Sequence, residues 1–364
     1  MERMQEHAGG GRGRWPPLAW SRWSITAAVL ALPGAALVAL RIVPWDLGSP
    51  WIQLLSLFPA GLLTTTAALA AAVAAVFLHA GTRRGGFAAL VAALLVAQLS
   101  LVVDRVLPAH GTSARMQPLS VQPANIQPAA PTTPHAAGQV LTVMAVNVGL
   151  SGIEAASLVS EIRNRNIDIL ALPELAPLGL KELDKAGLTS LLPSRATDVE
   201  WMGTGSALFS RFPLEQVERV PGSAFYQSRA VAEVSTATGR VHLTAVHIDS
   251  PRRGHIPSWR AELRQLGELW QALPDDDRHT ILLGDFNASA DHREFRELLA
   301  GGLSDAADAA GKGLTPTWPV NSPAPAFVAI DHVLVSPGIE VADFQVVTLP
   351  GTDHAAVVAR LVLP

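Results

Sequence analysis

The chain has 364 residues, enough for about two domains, with a formal net charge of −4 and no cysteine. Disulfides, thiolate nucleophiles and cysteine-ligated zinc are therefore excluded. Hydrophobic residues make up 49% although aromatics are only 5%, and mean hydropathy is +0.28. A single soluble globule has no use for this excess, and the sequence concentrates it in residues 1–107.

Three apolar stretches, 24–43, 51–78 and 87–103, are each of a length to cross a hydrocarbon core of about 30 Å. Pro33, Gly34 and Pro59 are tolerable inside membrane helices, and Trp45 and Trp51 stand where interfacial anchors belong. Two further stretches directly behind the first argue against a cleaved signal peptide. Arg3, Arg12, Arg14 and Arg22 precede the first stretch and Arg83 and Arg84 join the second to the third, whereas the loop between the first two offers Arg41 against Asp46. The positive-inside rule then predicts a cytoplasmic N-terminus, and three crossings put all that follows Val103 outside. Residues 108–139 turn to Pro, Gln, Ala, Ser and Thr, a composition that cannot bury a core and predicts an extended tether.

From Val140 to Pro364 strand patterns alternate with helical ones. Strands are expected at 140–148, 168–172, 206–210, 229–234, 240–248, around 281–285, and at 327–335, 343–348 and 355–361. Helices are expected at 153–166, 258–273 and 291–299, the second with Trp259, Leu263, Leu266 and Trp270 on one face. This interleaving predicts an α/β sandwich.

Several of these strands run into polar residues that a core would not choose. They deliver Asn147, Glu174, His247 and the pair Asp285 and Asn287, while Asp331 and His332 lie in another strand and Thr352-Asp353-His354 opens the last. Gly284 permits a turn or a close backbone approach, and Asp285 and Asn287 share a side of an extended chain. Each residue taken singly is an ordinary strand end or Asx turn. Together they need a common explanation.

In this order and at these intervals, Asn147, Glu174, Gly284-Asp285-Phe286-Asn287, Ile330-Asp331-His332 and Thr352-Asp353-His354 resemble the endonuclease/exonuclease/phosphatase family of metal-dependent phosphoesterases. The segment 205–214, Gly-Ser-Ala-Leu-Phe-Ser-Arg-Phe-Pro-Leu, is similar to another of its recurrent stretches. The resemblance implies a four-layer α/β fold, two packed β-sheets flanked by helices, here preceded by three transmembrane helices. The spans, the tether and Pro316-Thr317-Trp318-Pro319 resemble, more loosely, a membrane-anchored bacterial branch that includes glycopeptide-resistance proteins. That likeness implies a multi-pass protein of the bacterial cell membrane with its catalytic domain outside, linked to antibiotic resistance of the envelope.

These residue types can serve phosphate-ester hydrolysis. Glu174 and Asp353 offer hard oxygens suited to Mg²⁺ or Mn²⁺, and Asn147 offers an oxygen to the metal or an N–H to phosphate. Asp285 would deprotonate the attacking water and Asn287 hold it. Asp331 would orient His354 as an imidazolium, with His247 acting in the same way on a second phosphoryl oxygen. Arg229 could contact phosphate or be a surface cation, and His332 reads as a neighbour on the opposite strand face. Three positions depart from the family pattern. Pro173 and Thr352 stand for its usual Gln and Ser, and Gly149 occupies a place where some nuclease members carry a second acid, which leans toward phosphatase or single-metal chemistry.

From Val140 onward 18 Lys and Arg face 27 Asp and Glu, a net of −9, whereas duplex binding normally rests on a basic footprint. The expected substrate is a lipid-linked or other envelope phosphate ester met at the membrane. An extracellular nuclease and a non-catalytic envelope-binding module are the alternatives.

Overall fold

The computed structural model describes residues 22–43, 48–78, 82–108, 139–149, 152–221, 227–234, 240–274 and 279–364. The predicted tether at 108–139 falls almost wholly outside them, as do Arg3, Arg12, Arg14, Trp45 and Asp46. The anchor comprises α1 (Arg22–Ile42), α2 (Ser49–Leu55), α3 (Phe58–Leu78) and α4 (Thr82–Ser100). Among the described residues two helices, Arg22–Ile42 and Phe58–Phe77, are long and apolar enough to cross a membrane, not three as expected; the apolar part of the next, Gly85–Ser100, is shorter. The second stretch also breaks in two. Pro59 lacks the N–H that would continue α2, so it sits in the first turn of α3, where that N–H is not needed. Helices α1 and α3 cross closely at Gly34, where a Cβ would come within 2.0 Å of Thr65 Oγ1.

The remaining described residues form twelve strands, numbered in chain order. One sheet runs β11-β12-β1-β2-β4-β3, comprising β1 (Val140–Ala145), β2 (Ile169–Pro173), β3 (Ser194–Asp198), β4 (Ser206–Ser210), β11 (Glu340–Val347) and β12 (Ala356–Val362). The other runs β5-β6-β7-β8-β10-β9, comprising β5 (Leu214–Arg219), β6 (Ser228–Glu233), β7 (Arg240–His247), β8 (Thr280–Asp285), β9 (Ser304–Asp305) and β10 (Asp331–Val335). Parallel pairs β1–β2 and β7–β8 form the centres, and the remaining pairings are antiparallel. Between the sheets lies a core of alternating apolar residues such as Val143, Ala171, Leu243, Leu283, Val333 and Val357. Outside the first sheet, α5 (Ala155–Asn164), α6 (Pro177–Lys185) and α7 (Leu188–Leu191) bury the opposite strand faces. Helices α8 (Ile256–Gln271) and α9 (Arg293–Ala300) do so for the second. This is the predicted four-layer order.

At Gly284 φ is +145°, and a Cβ there would meet the Val246 carbonyl oxygen of the neighbouring strand at 2.1 Å. Gly284→Ala is expected to cost about 3 kcal/mol from strain and overpacking together, read as a lower thermal midpoint of the full chain. An unchanged midpoint would contradict it.

The domain does not stand off from the anchor. Asp291, whose side chain is 0% exposed, accepts from Arg41 Nε at 2.9 Å and from Arg105 Nη1 at 3.0 Å. Arg105 also donates to the Gly313 carbonyl at 2.9 Å. Ile52 of α2 is buried in one core with Trp259, Phe286 and Phe295, its carbonyl accepts from His292 Nε2 at 2.9 Å, and Ser49 Oγ donates to the Pro251 carbonyl at 3.0 Å. Burial holds the His292 pKa below its ordinary value, consistent with a neutral ring whose Nδ1 accepts from the Ser289 N–H at 2.8 Å.

Candidate active site

The site continues the inter-sheet core in polar residues. Along β1 the inward series Leu141, Val143, Ala145 leads by the same alternation to Asn147; along β7, Val241, Leu243, Ala245 lead to His247; along β8, Ile281 and Leu283 lead to Asp285. Strand β10 runs the other way, so Asp331 precedes Val333 and Val335 and pairs directly with Asp285. Parallel pairing of β7 with β8 sets His247 beside Asp285, and His354 lies just before β12. Glu174 and Asn287, each past a strand end, have φ of +61° and +46°, uncommon for non-glycine residues and a conformation that occurs at sites over-determined by their surroundings.

Asn147 Nδ2 donates to Glu174 Oε1 at 3.0 Å and to Asp285 Oδ2 at 3.1 Å, tying two carboxylates together. The Asn287 N–H donates to Asp285 Oδ1 at 2.8 Å, while Asn287 Nδ2 donates to the Ile248 carbonyl at 2.9 Å. His354 Nδ1 lies 3.0 Å from Asp331 Oδ2, and its Nε2 lies 3.8 Å from Asp285 Oδ2. Burial pushes the Asp285 carboxyl up to about 7, against the pull of His354. Burial opposes charge on His354 as well, but Asp331 and then Asp285 outweigh it and push that pKa up to about 10. Burial, with repulsion from His354, drives His247 down to about 3. A ring held this low is neutral near pH 7, whereas the sequence reading had His247 act in the same way as His354.

A base that works ionised gains activity as pH rises through its pKa, and an acid that works protonated loses it as pH rises through its own. The pH profile of kcat/KM is thus expected to rise near pH 7 and fall near pH 10, both limbs belonging to the Asp285–His354 pair as a unit. A profile flat across that range would contradict these roles.

Glu174, His247, Asp285, Asn287 and His354 line one cleft of about 900 Å³. Asn147 and Asp331 stand directly behind them, hydrogen-bonded to Asp285 and His354. Arg229 is not brought there. It pairs across the sheet with Thr244, three residues short of His247 and on the helix-facing side of the sheet, where Arg229 Nη2 lies 3.1 Å from Glu218 Oε1. Asp353 is exposed, with Oδ2 accepting from Trp318 Nε1 at 3.0 Å. Asn147 turns its oxygen to the Gly149 N–H at 3.0 Å and so serves the site as a donor. His332 faces the helix layer between Asp305 and the Ala288 carbonyl.

Other contributors were not singled out for a role from the sequence. Thr317 Oγ1 accepts from the N–H groups of Ile330 and Asp331 at 3.1 and 3.2 Å. Thr352 Oγ1 donates to the Asn147 carbonyl at 2.7 Å. Trp318 sits 6.5 Å, centroid to centroid, from the His354 ring. The Thr352 hydroxyl next to Asp353 was the available signal; Thr317, well before Asp331 in the chain, offered none of that kind. The cleft wall supplied by α2 and the turn after it, with Gln53, Leu54, Ser56 and Leu57, had no signal apart from Pro59.

The sequence profile of the Endonuclease/Exonuclease/phosphatase family matches residues 144–354, more than half of the chain. The chain belongs to this family. The enzymes of the endonuclease/exonuclease/phosphatase family are metal-dependent phosphoesterases and nucleases. Among solved structures, TDP2 of D. rerio complexed with a single-strand DNA product is 18% identical, with a TM-score of 0.50 over 61% of this chain and 98% of that one. Truncated Caenorhabditis elegans TDP2 is 23% identical, with a TM-score of 0.49 over 61% and 98%. An endonuclease/exonuclease/phosphatase from Beutenbergia cavernae DSM 12333 is 18% identical, with a TM-score of 0.48 over 62% and 72%. At these identities the likeness is one of fold. No curated protein matches the chain significantly.

The residues present fit a divalent cation of the kind this family uses. Glu174 is a carboxylate open to the cleft, and Asp285 and Asp331 offer further carboxylate oxygens within 4.8 Å of each other. These are hard oxygen donors, suited to Mg²⁺ or Mn²⁺.

Proposed function

We propose that the chain is a membrane-anchored, Mg²⁺- or Mn²⁺-dependent phosphoesterase that hydrolyses a lipid-linked or other envelope phosphate ester. The observation that carries this reading is the Asp331–His354 pair, with His354 Nε2 3.8 Å from Asp285 Oδ2 in the cleft that also holds Glu174. Asp285 takes the proton of the attacking water as its oxygen bonds to phosphorus and the ester P–O bond breaks. Asn287 steadies Asp285 through its backbone N–H and leaves its side-chain oxygen for the water. His354, charged through Asp331, donates from Nε2 to the oxygen on which negative charge grows, and neutral His247 adds a second N–H. Glu174 would hold the metal, and such an ion, when bound, would neutralise phosphoryl charge; of the further ligands that the family resemblance implies, Asn147 has its oxygen taken by the Gly149 N–H and Asp353 is exposed and bonded to Trp318. Because Asp285 and Asp331 are already engaged with His354, Glu174 is the best-supported ligand.

The anchor and the net charge of −9 from Val140 onward favour an ester met at a membrane over nucleic acid. Crossing at α1 and α3 would put α2 on the side of the catalytic domain. The shorter α4 would return its end to that side, a reading supported by the hydrogen bond from Arg41 Nη2 to the Leu101 carbonyl at 3.2 Å; with a cytoplasmic N-terminus the domain would be extracytoplasmic. The looser likeness to glycopeptide-resistance proteins suggests an envelope lipid.

The test is a screen of the full chain in detergent against lipid-linked phosphates, inositol and sphingo-type headgroups, and nucleic acids. Hydrolysis of a lipid phosphate, abolished by EDTA and restored by Mg²⁺, is the expected result. Preferential cleavage of DNA or RNA would favour a nuclease, and no cleavage with no calorimetric metal binding would favour a binding module.

A further inference from the structure

The catalytic cleft is closed on one side by the anchor itself. Helix α2 and the turn after it lie between two helices able to span a membrane, Arg22–Ile42 and Phe58–Phe77, so chain connectivity holds them at the membrane boundary. From there Gln53, Leu54 and Leu57 line the same cleft as Glu174, Asp285 and His354. Buried Ile52 and the His292–Ile52 hydrogen bond fix this wall in place. Across the cleft stand Phe327 and Met202, and with Leu54 they remain 37%, 83% and 39% exposed. Among the described residues Arg252 is the only lysine or arginine lining it. A cleft with carboxylates and imidazoles at its floor, apolar side chains at its rim and one arginine suits a molecule with a single phosphate ester and a hydrocarbon body. A polyanion would find few partners there.

We propose that residues 48–57 form the substrate-selecting wall of the active site, over which the hydrocarbon of an amphiphilic phosphate ester passes from the bilayer while its phosphate reaches Asp285 and His354. The inference rests on the lipid-linked reading above and adds that the anchor itself selects the substrate. Leu54 and Leu57 contact the hydrocarbon, and Ile52 positions them.

The experiment uses the full chain in phosphatidylcholine vesicles with Mg²⁺, p-nitrophenyl phosphate and bis-p-nitrophenyl phosphate as reporter substrates, and methyl phosphate or hexadecyl phosphate as competitor. Hexadecyl phosphate is expected to inhibit at least about tenfold more strongly than methyl phosphate, since each buried methylene contributes favourably. That ratio should fall toward unity in Leu54→Asp and in the milder Leu57→Ser, and persist in Leu178→Ser, an exposed change on α6. A high wild-type ratio that both wall variants retain overturns the wall and leaves the lipid-linked reading standing. Equal inhibition by the two competitors in the wild type overturns both. No cleavage of either reporter overturns the phosphoesterase reading, and this inference with it.

Discussion

Asp285→Asn is expected to lower kcat for phosphate-ester hydrolysis by about 10²–10⁴-fold, the range for loss of a positioned general base. The substitution keeps the shape of the side chain, and its amide oxygen can still accept from Asn147 Nδ2 or from the Asn287 N–H. What it removes is a site for the proton. Burial that pushes Asp285 up to about 7 makes it a better base than an exposed aspartate while leaving it ionised in a useful fraction at neutral pH. His354→Ala should produce a loss of similar order by removing the N–H facing Asp285, with Asp331 left behind unpaired. If both purified variants retain the wild-type rate with Mg²⁺ present, this assignment of roles is wrong.

The second large effect concerns stability. Asp291→Ala leaves the guanidiniums of Arg41 and Arg105, nearly buried against it, without their shared carboxylate. Removing one partner of a buried ion pair costs about 3–5 kcal/mol, because the remaining charge keeps its desolvation penalty. The thermal midpoint of the full chain should fall, and amide exchange across residues 48–57 should quicken as α2 loosens from α8 and α9. Unchanged exchange there would mean that the apolar contacts of Ile52 hold the anchor without the ion pairs.

The polar strand ends of the candidate site were legible because they break a rule visible in sequence: an alternating apolar series runs on into Asn147, His247 or Asp285 where another core residue would fit. The same alternation, applied to Ala230 and Ala232, would have turned Arg229 away from the site. Edge strands β3 and β5 escaped because Ser-Arg-Ala-Thr-Asp and Leu-Glu-Gln-Val-Glu-Arg carry no apolar alternation; each has a neighbour on one side only. The anchor was less legible. Hydropathy alone ran α2 and α3 together, since the burial of Ile52 against Trp259 depends on residues some two hundred positions away. Arg41, counted in the sequence toward orientation, together with Arg105 meets Asp291, a partner that no local pattern announces.

The clamp at Asp291 has a kinetic consequence. A catalytic domain on a loose leash would sample a volume above the bilayer and meet its substrate by three-dimensional diffusion. On the membrane-anchored reading proposed above, Arg41 and Arg105, both fastened to Asp291, would hold the mouth of the cleft at one height and one tilt, and the search would become lateral. Turnover should then follow the mole fraction of substrate in the surface and fall when inert lipid dilutes it at constant bulk concentration.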